Sequence, residues 1–105
     1  MIKGMSAPEL SPLWEEHRLA PYPSGFRGVA IAGVELILLD SDVAGLVHGE
    51  LHGGLDDEGV AILWACLADL DKALPLIGDT YCASYFARLR TMARLVAARY
   101  LPNAT

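Results

Sequence analysis

The chain has 105 residues, the ordinary size of one domain built around one hydrophobic core. Its 53% hydrophobic content excludes intrinsic disorder as the default, and the abundance of Leu and Ala favours helix over sheet. A formal net charge of −5 argues against nucleic acid or an anionic membrane as a partner, since phosphate contacts need a basic surface.

Residues 1–10 are expected to be loosely held. They contain no secretory core, because Pro8, Glu9 and Pro12 interrupt the apolar residues around them. Ser11-Pro12 reads as an N-cap followed by proline in the first helical position, which predicts a short helix through Trp14 and Arg18. Pro21-Tyr22-Pro23 ends that helix. The segment to Gly28 is expected to be an extended arm that lays Trp14, Tyr22 and Phe26 across the core.

From Gly33 to His52, Val34, Ile37, Leu38, Ala44, Val47 and Leu51 fit a helical repeat. Leu36-Ile37-Leu38-Leu39 alone suits a buried strand equally well, but the pattern continues past Asp42 for two more turns, which favours helix. Gly53-Gly54 terminates it. The acidic run Asp56-Asp57-Glu58 suits the positive end of a helix dipole, and the helix it opens is predicted to reach about Ile77. Val60, Leu63, Leu67, Leu70 and Leu74 form its apolar stripe, with Glu58, Ala61, Ala65, Asp69 and Lys72 opposite. Gly78-Asp79-Thr80 caps a last long helix to about Leu101, whose buried face collects Tyr81, Tyr85, Leu89, Met92 and Val96. Cys66 and Cys82 lie inside these helical patterns and are expected to be reduced core thiols.

These elements predict an all-α fold: a single domain over residues 1–105, with 1–10 and 102–105 loosely ordered. It is a compact antiparallel bundle of three long helices with a short N-terminal helix and an aromatic, proline-rich arm. No stretch reaches the ~18 apolar residues of a membrane span, so the expected location is the cytoplasm.

Four features could carry chemistry. Leu36-Ile37-Leu38-Leu39-Asp40-Ser41-Asp42 resembles the first motif of the haloacid dehalogenase phosphatases, in which a hydrophobic strand ends in a nucleophilic Asp, one spacer and a second Asp. Beyond that the pattern departs: Ala44 stands where that family has Thr or Val, and no downstream strand presents the expected Lys and acidic pair. No catalytic residue is assigned. Read as helix, the same segment places Asp40 among Leu36, Ala44, Val47 and Leu51, where a carboxylate needs a partner; Arg27, Arg88 and Arg99 are the candidates for an ion pair.

His48 and His52, four apart, share a helical face and could chelate a metal. A third ligand from His17, Asp56 or Glu58 has no diagnostic spacing, so no cofactor is expected. Arg88, Arg90, Arg94 and Arg99 supply half of the basic residues, with no acid after Asp79. They form either a docking patch or a counterweight to Asp69 and Asp71 on the preceding helix.

Trp14 and His17-Arg18 ahead of Pro21-Tyr22-Pro23, then Ala32-Gly33-Val34 through Leu39-Asp40, Ile62-Leu63 and Cys66 to Asp71, resemble small uncharacterised helical proteins of high-GC bacteria. The resemblance spans most of the chain and implies no activity. The functional expectation is a non-enzymatic interaction protein, with self-association or a protein partner, because Val34, Leu36, Leu38, Leu46, Val47 and Leu51 surround the first long helix on nearly all sides. The alternative is a metal- or small-ligand-binding protein or minor enzyme using Asp40, His48 and His52.

Overall fold

Helix α1 (Leu10–Leu19) opens the computed structural model, which describes residues 9–101. Its start lies before the cap predicted at Ser11. Glu9 precedes the helix without a side-chain cap bond, and Pro12 takes the third helical position, where no intrahelical N–H bond is lost. Leu10 is buried, so the loosely held start predicted to reach residue 10 stops short of it; the same expectation for residues 1–8 and 102–105 falls outside the described residues. The arm after Pro21 places Tyr22 and Phe26 half-buried against the core, with the Tyr22 hydroxyl donating to the Phe26 carbonyl at 3.2 Å.

Residues 30–35 depart from the all-α expectation. Strands β1 (Ala30–Ile31) and β2 (Val34–Glu35) pair antiparallel, Ala30 with Glu35 and Ile31 with Val34. Ala32 and Gly33 both have positive φ, 53° and 78°, the left-handed pair that a two-residue hairpin turn requires. That turn folds Val34 back onto Ile31, so the helix predicted from Gly33 starts later.

Helix α2 (Leu36–Leu51) buries Leu36, Leu39, Val43 and Val47. This face is rotated from the predicted stripe: Leu38 is 56% exposed, and Ile37, Ala44 and Leu51 are half-buried. The outer face of α2 carries Ser41, Asp42, Gly45 and His48, all exposed, but Leu38 shares that face while Asp40 and Glu50 lie toward the core side, which blurs the pattern from which the orientation is read. It ends at Gly53-Gly54, where the Gly54 N–H donates to the Gly49 carbonyl.

Helix α3 (Asp57–Ala73) is capped by Asp56, whose Oδ1 accepts from the Gly59 N–H at 2.8 Å. It buries Leu63, Cys66, Leu67, Leu70 and Ala73, and the predicted run to Ile77 breaks into a 3-10 turn (Leu74–Leu76) around Pro75. Helix α4 (Thr80–Ala98) is capped by Asp79, which accepts from the Cys82 N–H. Its core face runs from Cys82 through Tyr85, Phe86, Leu89, Met92 and Val96. Tyr81, predicted on that face, is instead exposed at its edge, with its hydroxyl donating to the Pro21 carbonyl and tying down the arm. Helix α4 packs against α1, α2 and α3, and α2 packs against α3, around one buried cluster drawn from all four helices. Among the described residues no helix is long and apolar enough to cross a membrane.

Candidate functional site

Asp40 leaves α2 at the edge of its buried face, 16% exposed at the side chain, and meets two donors. His17 Nε2 lies 2.8 Å from Asp40 Oδ1, and the Tyr85 hydroxyl donates to Oδ2 at 2.9 Å. Arg88 Nε–H donates to His17 Nδ1 at 3.3 Å, so Nδ1 is the ring's acceptor and the proton on Nε2 points at Asp40. The guanidinium also reaches Glu16 at 3.5 Å and lies over the Tyr85 ring, 5.4 Å from its centroid. Burial, with the Asp40 charge beside it, pushes the Tyr85 phenol well above its usual range.

The partners of Asp40 therefore differ from those predicted. His17 and Tyr85 hold it, and Arg88 stands one step behind His17; the physical reason is that the His17 ring of α1 occupies the place between the carboxylate and the guanidinium. Sequence reasoning gives His17 no role except that of a remote metal ligand. Its signal is nonetheless present: Leu10, Leu13 and His17 recur at helical spacing, which puts the ring on the inner face of α1.

An aspartate that orients a histidine is the arrangement of a general base. Here both ring nitrogens are engaged by protein atoms and the side chain is 4% exposed, which leaves no lone pair for a substrate. Two surface grooves, of ≈ 350 and ≈ 290 Å³, are lined by other residues. The cluster ties α1 to α2 and α4.

His48 and His52 stack on each other with centroids 4.2 Å apart, both exposed, and His52 Nδ1 is engaged by the His48 carbonyl at 2.8 Å. Asp40 stands about 12 Å back along α2, at eight residues of 1.5 Å rise. The three residues of the metal or small-ligand alternative are thus not brought together, and among the described residues no group of three His, Cys, Asp or Glu side chains is placed to hold a metal ion. The strand that a phosphatase motif would need before Asp40 is the first turn of α2.

Each of the four arginines meets an acid. Arg88 reaches Glu16, Arg90 and Arg94 share Asp71 at 3.3 and 3.4 Å, and Arg99 pairs with Glu50 at 2.9 Å. Glu50 also accepts from the Tyr100 hydroxyl, which in turn accepts from the Leu55 N–H, linking α2 to the loop before α3. Burial works to raise the Glu50 carboxyl, but the bonds from Tyr100 and Arg99 and the Arg99 charge together hold it below its ordinary value.

Comparison with family models, with curated proteins and with solved structures finds no match. No residue takes a role from a relative, and the surface has to be read on its own chemistry. One apolar feature of it is an open groove of ≈ 350 Å³ between α3 and α4, lined by Trp64, Leu67, Ala68, Ala97, Ala98 and Leu101, with Asp71 and Arg94 also on its wall. It continues onto the outer face of α3, where Ala61, Trp64, Ala65 and Ala68 are all exposed.

Proposed function

We propose that this chain is a non-enzymatic interaction protein that meets a protein partner through the outer face of α3 and the adjoining groove. The observation that carries the reading is a contrast. The polar groups suited to chemistry are bonded to one another under cover, whereas Trp64 and Leu101 stand 45 and 57% exposed on the rim of one groove. Clustered exposed aromatic and aliphatic side chains are the composition of an interface core. The apolar girth of α2, which suggested association at the sequence level, is largely covered, with Leu38 as its one large apolar residue in the open.

The finer architecture belongs to the same proposal. Helices α2, α3 and α4 run alternately up and down, since the short connections at residues 52–56 and 74–79 return the chain beside the helix it has left. A cytoplasmic location suits the two buried free thiols.

A photo-reactive phenylalanine analogue at Trp64, compared with one at exposed Glu15 on α1, tests the reading in expressing cells. A discrete adduct at position 64, absent at 15 and lost on adding Ala68→Glu, is expected. No adduct at 64, or equal adducts at both positions, would overturn it.

A further inference from the structure

Helix α3 turns a self-complementary face outward. Its core residues centre on Leu63, Cys66, Leu67 and Leu70; on the opposite side, at 100° per residue, fall Asp57, Glu58, Ala61, Trp64, Ala65, Ala68 and Lys72. Acids stand at the N-terminal end, apolar and small residues in the middle, and a base at the C-terminal end. The ends are strengthened by their surroundings. Asp56 adjoins Asp57 and Glu58, while Arg90 and Arg94 gather at Asp71 beside Lys72, so that three bases there face two acids, Asp69 and Asp71. Lys72 is held only loosely, 4.0 Å from Asp69, and among the described residues neither Asp57 nor Glu58 has an ion-pair partner.

We infer that this face pairs with a second copy of the chain, the two α3 helices running antiparallel about a two-fold axis near residues 64 and 65. This deepens the proposed function by naming its partner, and it rests on that reading. With the axis there, Asp57 of one copy lies opposite Lys72 of the partner subunit, Ala61 opposite Ala68 of the partner subunit, and Trp64 opposite Ala65 of the partner subunit; Glu58 falls one residue from the Lys72 level and faces Asp71 of the partner subunit, whose charge Arg90 and Arg94 already offset.

The Asp57 to Lys72 span, about 22.5 Å at 1.5 Å per residue, has its midpoint between residues 64 and 65, the centre of the apolar segment. A parallel pair would set acid on acid. Alanine at 61, 65 and 68 lets two helices approach toward the close end of the ~8–10 Å packing range. Helical side chains lean toward the N-terminus of their own helix, so Trp64 of the partner subunit reaches the level of Ala68, where the groove opens. A two-fold contact uses the same patch twice, which is the condition this charge order meets.

Sedimentation equilibrium of the full chain, with two charge reversals, tests the register. The wild type is expected to reach twice the 11.3 kDa chain mass at micromolar concentration and to dissociate as salt rises. Glu58→Lys alone sets base against base at both ends of the paired helices, and Lys72→Glu alone sets acid against acid; each should weaken self-association about tenfold or more. An equimolar mixture of the two single variants should recover association, because in the mixed dimer each end sets a base of one chain against an acid of the other; the single-species form of the same arm is the double variant Glu58→Lys with Lys72→Glu in one chain. That swap places opposite charges at both ends again and should recover the dimer. Both positions are exposed on α3, and circular dichroism checks that each variant stays folded.

A wild-type monomer at about 100 µM overturns the self-pairing, whatever partner the cross-link at Trp64 captures. A dimer indifferent to both reversals, or one the double variant fails to restore, overturns this register while leaving self-association in place. An adduct at Trp64 of twice the chain mass agrees with the inference; an adduct only to a foreign protein sinks it and leaves the proposed function standing.

Discussion

Replacing Asp40 with alanine removes the acceptor of two buried donors at once. The Tyr85 hydroxyl and the His17 Nε2–H lose their partner, and both residues are about 5% exposed or less. A buried donor left unpaired costs roughly 1–3 kcal/mol. Asp40 itself is 16% exposed, so water can recover part of one bond, and the expected loss is about 2–4 kcal/mol. For a chain of this size, with a urea slope of roughly 1–1.5 kcal/mol/M, the midpoint should fall by about 2 M.

Asp40→Asn keeps one acceptor oxygen and should lose about half as much. Tyr85→Phe removes one of the stranded donors in advance, so the double variant should be less than additive by about 1 kcal/mol. Arg88→Ala, which reaches Asp40 only through His17, should couple to it more weakly. An Asp40→Ala loss below about 1 kcal/mol is the size of an exposed ion pair and would refute the closed cluster described here.

Three further outcomes follow from individual residues. Ala32 holds φ at +53°, where Asn is tolerated far better, so Ala32→Asn should raise stability by roughly 0.5–1 kcal/mol in the same urea assay, and a loss would count against the hairpin. Burial, with the Asp42 and Asp69 carboxylates nearby, pushes the Cys66 thiol up to about 11. At about pH 8 that leaves on the order of a thousandth as thiolate, against about a quarter for an ordinary thiol, so Ellman's reagent should report fast labelling only after denaturation. Glu50 has a depressed carboxyl, so its stabilisation is full above its ordinary value near about 4.3 and is lost as pH falls through the lower folded value. Glu50→Gln should therefore cost about 1 kcal/mol or more at neutral pH and converge with wild type in acid; parallel curves would contradict this.

Helices α3 and α4 were legible because polar and apolar residues separate cleanly at helical spacing and Asp56 and Asp79 stand where caps belong. Asp40 was conspicuous for a related reason, a carboxylate amid apolar neighbours that burial forces to find a partner. The identity of that partner was not legible. His17 lies 23 residues away and Tyr85 45, and a helical projection ranks positions on one helix without saying which other helix they meet.

The orientation of α2 was hidden as well, since Leu38 stands on its exposed side and Asp40 and Glu50 fall toward its core side, against the rule that reads apolar residues inward. The hairpin went unread because Ala32 is an unusual occupant of a left-handed turn position, made tolerable by Gly33 and by closure of residues 30–35. Local periodicity and capping, which act over a few residues, are written in the sequence. The closure of Asp40 on His17 and Tyr85, the neutralisation of Arg90 and Arg94 by Asp71, and the exposure of the Trp64 face arise from contacts between distant segments, and only the tertiary packing decides them.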